Sequence, residues 1–85
     1  MYGYICVKNL SCYPVISVYI NDTLYFADVL TTSPYKPVDA GSAQVKILNN
    51  RSKMVLDIYL PIKSHQRYIL EVFPETYSFT PVGFS

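Results

Sequence analysis

The chain has 85 residues, enough for one domain. Hydrophobic residues make up 51% and charged residues only 15%, with seven Lys/Arg against six Asp/Glu for a net charge of +1. This excludes a disordered, charge-rich chain, and it argues against nucleic-acid or anionic-membrane binding, where a basic patch supplies most of the affinity.

Tyr2 to Asn9 reads as a first strand, with Ile5 and Val7 on one face and Tyr4, Cys6 and Lys8 on the other. Leu10 to Pro14 is a connection. Val15 to Ile20 and Thr23 to Val29 form two alternating runs around Asn21-Asp22, a hairpin whose Asx pair tolerates the positive φ of a tight turn. Thr31 to Pro34 is a polar loop. Pro34 and Pro37 bracket a short strand around Tyr35, and Asp39 to Ser42 is a turn.

Ala43 to Leu48 is a strand with Ala43, Val45 and Ile47 inward. Asn49 to Ser52 is a turn. Lys53 to Leu60 alternates, with Met54, Leu56, Ile58 and Leu60 inward and Lys53, Asp57 and Tyr59 outward. Pro61 to Gln66 is a loop, and Arg67 to Phe73 is the seventh strand, with Tyr68, Leu70 and Val72 on one face. The spacing of turns predicts an all-β sandwich or small barrel. All six prolines fall at strand ends, in loops or in the tail, where a missing N–H costs little. Thr76 to Phe84 alternates again, as a strand-like tail.

The order of strand, Asn9-Leu10-Ser11, Pro14-Val15-Ile16-Ser17-Val18-Tyr19-Ile20-Asn21, Val38-Asp39-Ala40-Gly41-Ser42 and Tyr68-Ile69-Leu70-Glu71-Val72 resembles the bacterial domain of unknown function 4397 family. The resemblance spans about residues 4–73. Cys12 replaces the family's proline, Asp22 its turn glycine, and Ser64-His65 stands where a glycine is common. The resemblance implies an immunoglobulin-like or transthyretin-like β-sandwich, mostly of bacterial surface or envelope proteins and some in spore formers. It brings no catalytic residues.

Chemistry-bearing residues are sparse. His65, the single histidine, lies in a loop beside Ser64, which is not the geometry of a catalytic triad, and the expected role is a solvated turn residue. Cys6 and Cys12 lack zinc-knuckle spacing, and three scattered glycines make no phosphate loop. No catalytic, cofactor-binding or metal residue is assigned. Lys46, Arg51 and Lys53 gather around one predicted turn, as a solvated hairpin tip does. Three Asn-x-Ser/Thr triplets, at Asn9, Asn21 and Asn50, fall where turns are expected anyway. Three states stay open for Cys6 and Cys12: free thiols, a local bond, or cross-links between chains.

The outward set is unusually apolar. It holds Tyr4, Cys6, Tyr19, Tyr25, Val55, Tyr59, Ile69 and Phe73, and the tail adds Tyr77, Phe79 and Phe84.

The expectation is an immunoglobulin-like antiparallel β-sandwich of about seven strands over residues 1–74, with a tail, 75–85, docked on its own sheet or added to a neighbouring subunit. The expected function is that of a non-enzymatic structural module without a cofactor. It would self-assemble through its aromatic outer face and tail, with Cys6 and Cys12 as possible cross-links, into a coat or filament, which the resemblance puts on a bacterial cell or spore surface. The alternative is a monomeric protein- or glycan-binding module. No apolar run is long enough for a membrane span, and Met1 is not followed by the pattern of a cleaved leader.

Overall fold

The computed structural model describes residues 1–84; the side chain of Phe84 lies outside the described set. Its eight strands are β1 (Tyr2–Asn9), β2 (Ile16–Ile20), β3 (Thr23–Val29), β4 (Lys36–Asp39), β5 (Gly41–Asn49), β6 (Met54–Ile62), β7 (Gln66–Val72) and β8 (Tyr77–Phe84). They form two four-stranded sheets, ordered β4-β1-β7-β8 and β3-β2-β5-β6. The protein is an all-β, two-sheet sandwich.

Alternation supplies the core. Ile5 and Val7 of β1, Val38 of β4 and Tyr68, Leu70 and Val72 of β7 face Ile16, Val18 and Ile20 of β2, Ala43, Val45 and Ile47 of β5 and Leu60 and Ile62 of β6. Phe26 and Val29 of β3 complete it. The β2–β3 hairpin turns on Asn21 and Asp22 at φ 50° and 64°, the left-handed pair that a two-residue turn needs. The Asn21 side chain also accepts from the backbone N–H of Gln44 at 3.0 Å, tying the turn to β5.

Three expectations from strict alternation fail at β-bulges, where one extra residue reverses the facing of everything beyond it. The β5–β6 register shifts between Ile47 and Leu48, so Val55, expected outward, packs against the core, and Met54, expected inward, is 54% exposed. The β2–β3 register shifts twice, once around Tyr25, which leaves the outer face and packs against the core. The β7–β8 register shifts near Val82.

Pairing is not wholly antiparallel. β1 runs antiparallel to β4 on one edge and parallel to β7 on the other, with Tyr4 opposite Arg67 and Cys6 opposite Ile69. Parallel neighbours need a long crossover, and here it is most of the chain. The Asp39–Ser42 turn is also tighter than expected. Only Ala40 separates β4 from β5, and the chain changes sheets there, with Gly41 at φ 125°, a conformation that side-chain-bearing residues rarely adopt. The strand expected around Tyr35 begins one residue later, at Lys36, and the expected 61–66 loop shortens to residues 63–65.

Residues 77–84 pair antiparallel with β7, and the Phe79 ring stacks on Tyr68 with centroids 4.4 Å apart. Pro37, Pro61 and Pro81 lie in β4, β6 and β8, which are all edge strands. The fourth edge, β3, carries the two bulges and has Asp28 at φ 51°. Among the described residues no helix is long and apolar enough to cross a membrane.

Candidate functional site

The outer face of the β4-β1-β7-β8 sheet gathers aromatic and cationic side chains, with Tyr4, Tyr35 and Arg67 among them. Parity on β1 sends Tyr2, Tyr4 and Cys6 outward, away from Ile5 and Val7. The parallel register sets Arg67 and Ile69 of β7 beside Tyr4 and Cys6. The antiparallel register sets Pro37 beside Tyr4 on the other side.

Tyr35 joins from the irregular segment before β4. That segment is held along the free edge of β1 by Ser33, which is buried. The Ser33 N–H donates to the Val7 carbonyl at 2.8 Å, and its Oγ accepts the Val7 N–H at 2.8 Å. Tyr35 therefore sits next to Cys6, and the Arg67 guanidinium lies 5.4 Å from the Tyr35 ring centroid.

This corrects the expectation for Cys6. Its side chain leaves the core side of β1 as parity requires, yet it is only 4% exposed, because segment 31–35 runs over that edge of the strand. Both cysteines are free, Cys6 buried and Cys12 exposed. The Tyr35 phenol is pushed above its ordinary pKa, chiefly by loss of solvent and next by the neighbouring Cys6 thiol, while Arg67 pulls the other way. The stability linked to the neutral phenol is fully present below the unfolded tyrosine pKa and is lost as pH rises from there through the raised folded value.

A thiol assay should separate the two cysteines. Cys12 should react with an aromatic disulfide reagent in the native protein, and Cys6 should react at least about 10-fold more slowly until denaturant is added. Tyr35→Ala should remove most of that protection. Equal native rates for both thiols would show that nothing covers Cys6.

The other sequence-predicted residues scatter. Tyr19 and Tyr59 lie on the outer face of the opposite sheet, Tyr19 beside Leu24 and Lys46, and Tyr59, 67% exposed, beside Gln44. Tyr25 and Phe79 pack against the core and are not free surface. Phe73 is half-buried just after β7, its N–H donating to the Thr76 carbonyl at 2.9 Å, and Tyr77 opens β8 opposite Val72. The Phe84 side chain lies outside the described residues. Lys46 separates from Arg51 and Lys53 by reaching Asp22 at 3.2 Å, an exposed pair that contributes little. His65 is an exposed turn residue at φ 63° whose N–H donates to the Tyr2 carbonyl at 2.8 Å.

Sequence reasoning missed Tyr2, Tyr35 and Arg67 as members of the face. Tyr2 and Arg67 share parity with Tyr4 and Ile69, so alternation alone could have found them. Tyr35 depends on the path of a loop and left no signal. Among the described residues no group of three or more His, Cys, Asp or Glu is placed to hold a metal.

Fold and face together define a small β-sandwich module with an aromatic, arginine-bearing sheet surface. No family model matches the chain, and no curated protein matches it either.

Proposed function

We propose that this chain is a non-enzymatic structural module that associates with further copies of itself through the outer face of the β4-β1-β7-β8 sheet. The observation that carries this reading is the cluster of Tyr2, Tyr4, Tyr35, Arg67 and Ile69 on one face. Tyr and Arg are the residue types that dominate the energetics of protein interfaces, since they combine large apolar area with directed polar contacts.

A second feature supports an extended assembly. Tyr19, Leu24 and Tyr59 lie on the outer face of the other sheet, on the opposite side of the sandwich. Two different adhesive faces set back to back can join head to tail, and a head-to-tail contact that does not close into a ring makes a filament. The resemblance of the strand and turn motifs to a family of bacterial surface and spore proteins supports a bacterial cell or spore surface as the proposed location of such an assembly.

Sedimentation velocity and negative-stain microscopy across a concentration series test this reading. The wild-type chain should associate below about 100 μM, and Tyr4→Ser with Arg67→Glu should weaken association at least about 10-fold while leaving the β-sheet circular dichroism intact. A wild-type chain that stays monomeric throughout, with no ordered particles, would end the self-assembly reading.

A further inference from the structure

At the end of the sandwich where β2 begins and β5 ends, two loops enclose an open cleft of about 460 Å³, within the range of small-ligand sites. Its lining is Tyr13 and Pro14 from the β1–β2 connection and Asn49, Asn50, Arg51 and Lys53 from the β5–β6 turn. The pairing of Ile16 with Asn49 brings the two loops side by side. Arg51 and Lys53 supply two positive charges, and among the described residues no carboxylate lines the cleft.

Both loops are held before any ligand arrives. In the first, the Asn9 side-chain amide donates to the Tyr13 carbonyl at 3.2 Å, and the Tyr13 N–H donates to Ser11 Oγ at 3.2 Å. In the second, Asn49 Oδ1 accepts the N–H groups of Arg51 at 2.9 Å and Lys53 at 3.0 Å, and the Asn49 N–H donates to the Lys53 carbonyl at 2.9 Å. Ser52 takes φ 59° to close that turn. Loops fixed in this way lose little entropy on binding.

We infer that this cleft binds an acidic saccharide, a pyranose carrying a carboxylate. Tyr13 and Pro14 offer an apolar wall to the C–H face of a sugar ring. The Asn50 amide offers a donor and an acceptor to adjacent hydroxyls, and Asn49, with Oδ1 committed to its turn, retains its NH2 as a donor. Arg51 can take the carboxylate bidentately, with Lys53 as a second charge. A purely acidic peptide would use the cations and leave the aromatic wall and amides idle. The cleft lies at the loop end of the sandwich, so it is separate from the proposed self-association face.

Titration of 15N-labelled protein with trigalacturonic acid, followed by amide chemical shifts, tests the assignment. Saturable shifts should map to residues 13 and 49–53. The neutral galactose trimer should bind at least about 10-fold more weakly, as should Arg51→Ala/Lys53→Ala, whose altered side chains are exposed and leave the core intact. Tyr13→Leu, which keeps apolar packing and loses the ring, should weaken binding by about 3- to 10-fold. No saturable shift at these residues up to about 10 mM ligand overturns the inference. So does hexaglutamate binding as tightly as the trisaccharide, which would mark an acidic-peptide site. Monomeric behaviour in sedimentation leaves this result untouched, so the two proposals fail separately.

Discussion

Gly3→Ala should lower the melting temperature by about 10–20 °C, a loss of about 2–3 kcal/mol. A Cβ on Gly3 would lie 2.6 Å from Ile62 Cγ2, 2.7 Å from the Lys63 carbonyl oxygen and 3.2 Å from the Gln66 carbonyl oxygen. Two of these atoms are backbone, and Ile62 is buried, so none can simply swing aside. The obstructing loop is also fastened on both sides. The His65 N–H donates to the Tyr2 carbonyl at 2.8 Å, and the Lys63 N–H donates to Tyr68 Oη at 3.0 Å. Making room for one methyl group means moving the β6–β7 connection and disturbing the phenol of a buried tyrosine. Thermal unfolding by circular dichroism gives the answer, and a midpoint within about 2 °C of wild type would mean that the connection yields freely.

Asn9→Ala should be comparably damaging, at about 2–4 kcal/mol by denaturant unfolding. The Asn9 side chain closes one end of the sandwich. Its NH2 donates to the Tyr13 carbonyl at 3.2 Å and the Val29 carbonyl at 3.1 Å. Its Oδ1 accepts the Ser11 N–H at 3.1 Å and the Ser11 hydroxyl. One amide thus joins β1, the first connection and the end of β3, which belongs to the other sheet. Alanine leaves two carbonyls without these donors in a half-buried setting. Asn9→Asp should be no better at neutral pH, because a carboxylate would face the same two carbonyls. It should recover stability as pH falls toward about 4 and the acid regains a proton to donate. A loss below about 0.5 kcal/mol for Asn9→Ala would show that water replaces the amide at little cost.

Much of the fold is legible locally. Alternation locates the strands to within a few residues, and Asn21-Asp22 announces a left-handed turn because few other pairs tolerate it. What resists reading depends on single-residue events or on distance. A bulge at Val55 reverses Met54 against the pattern, and another at Tyr25 removes that ring from the surface, yet neither has a compositional mark. The outer face is half legible. Tyr4 follows from parity, while the covering of Cys6 follows from Ser33 anchoring a loop along the edge of β1, an arrangement made by hydrogen bonds between residues 26 positions apart.

The parallel pairing of β1 with β7 has a kinetic consequence. Strands β2, β3, β5 and β6 are all drawn from residues 16–62, so that sheet can assemble from a contiguous stretch of chain. The other sheet cannot. Tyr4 meets Arg67, so one side of β1 stays open until β7, far along the chain, has followed. Closure over so long a loop places this domain among slow-folding topologies, on the millisecond-to-second scale. During that interval Ile5 and Val7 belong to an unfinished sheet, the period in which a nascent chain is most prone to pair with the wrong neighbour.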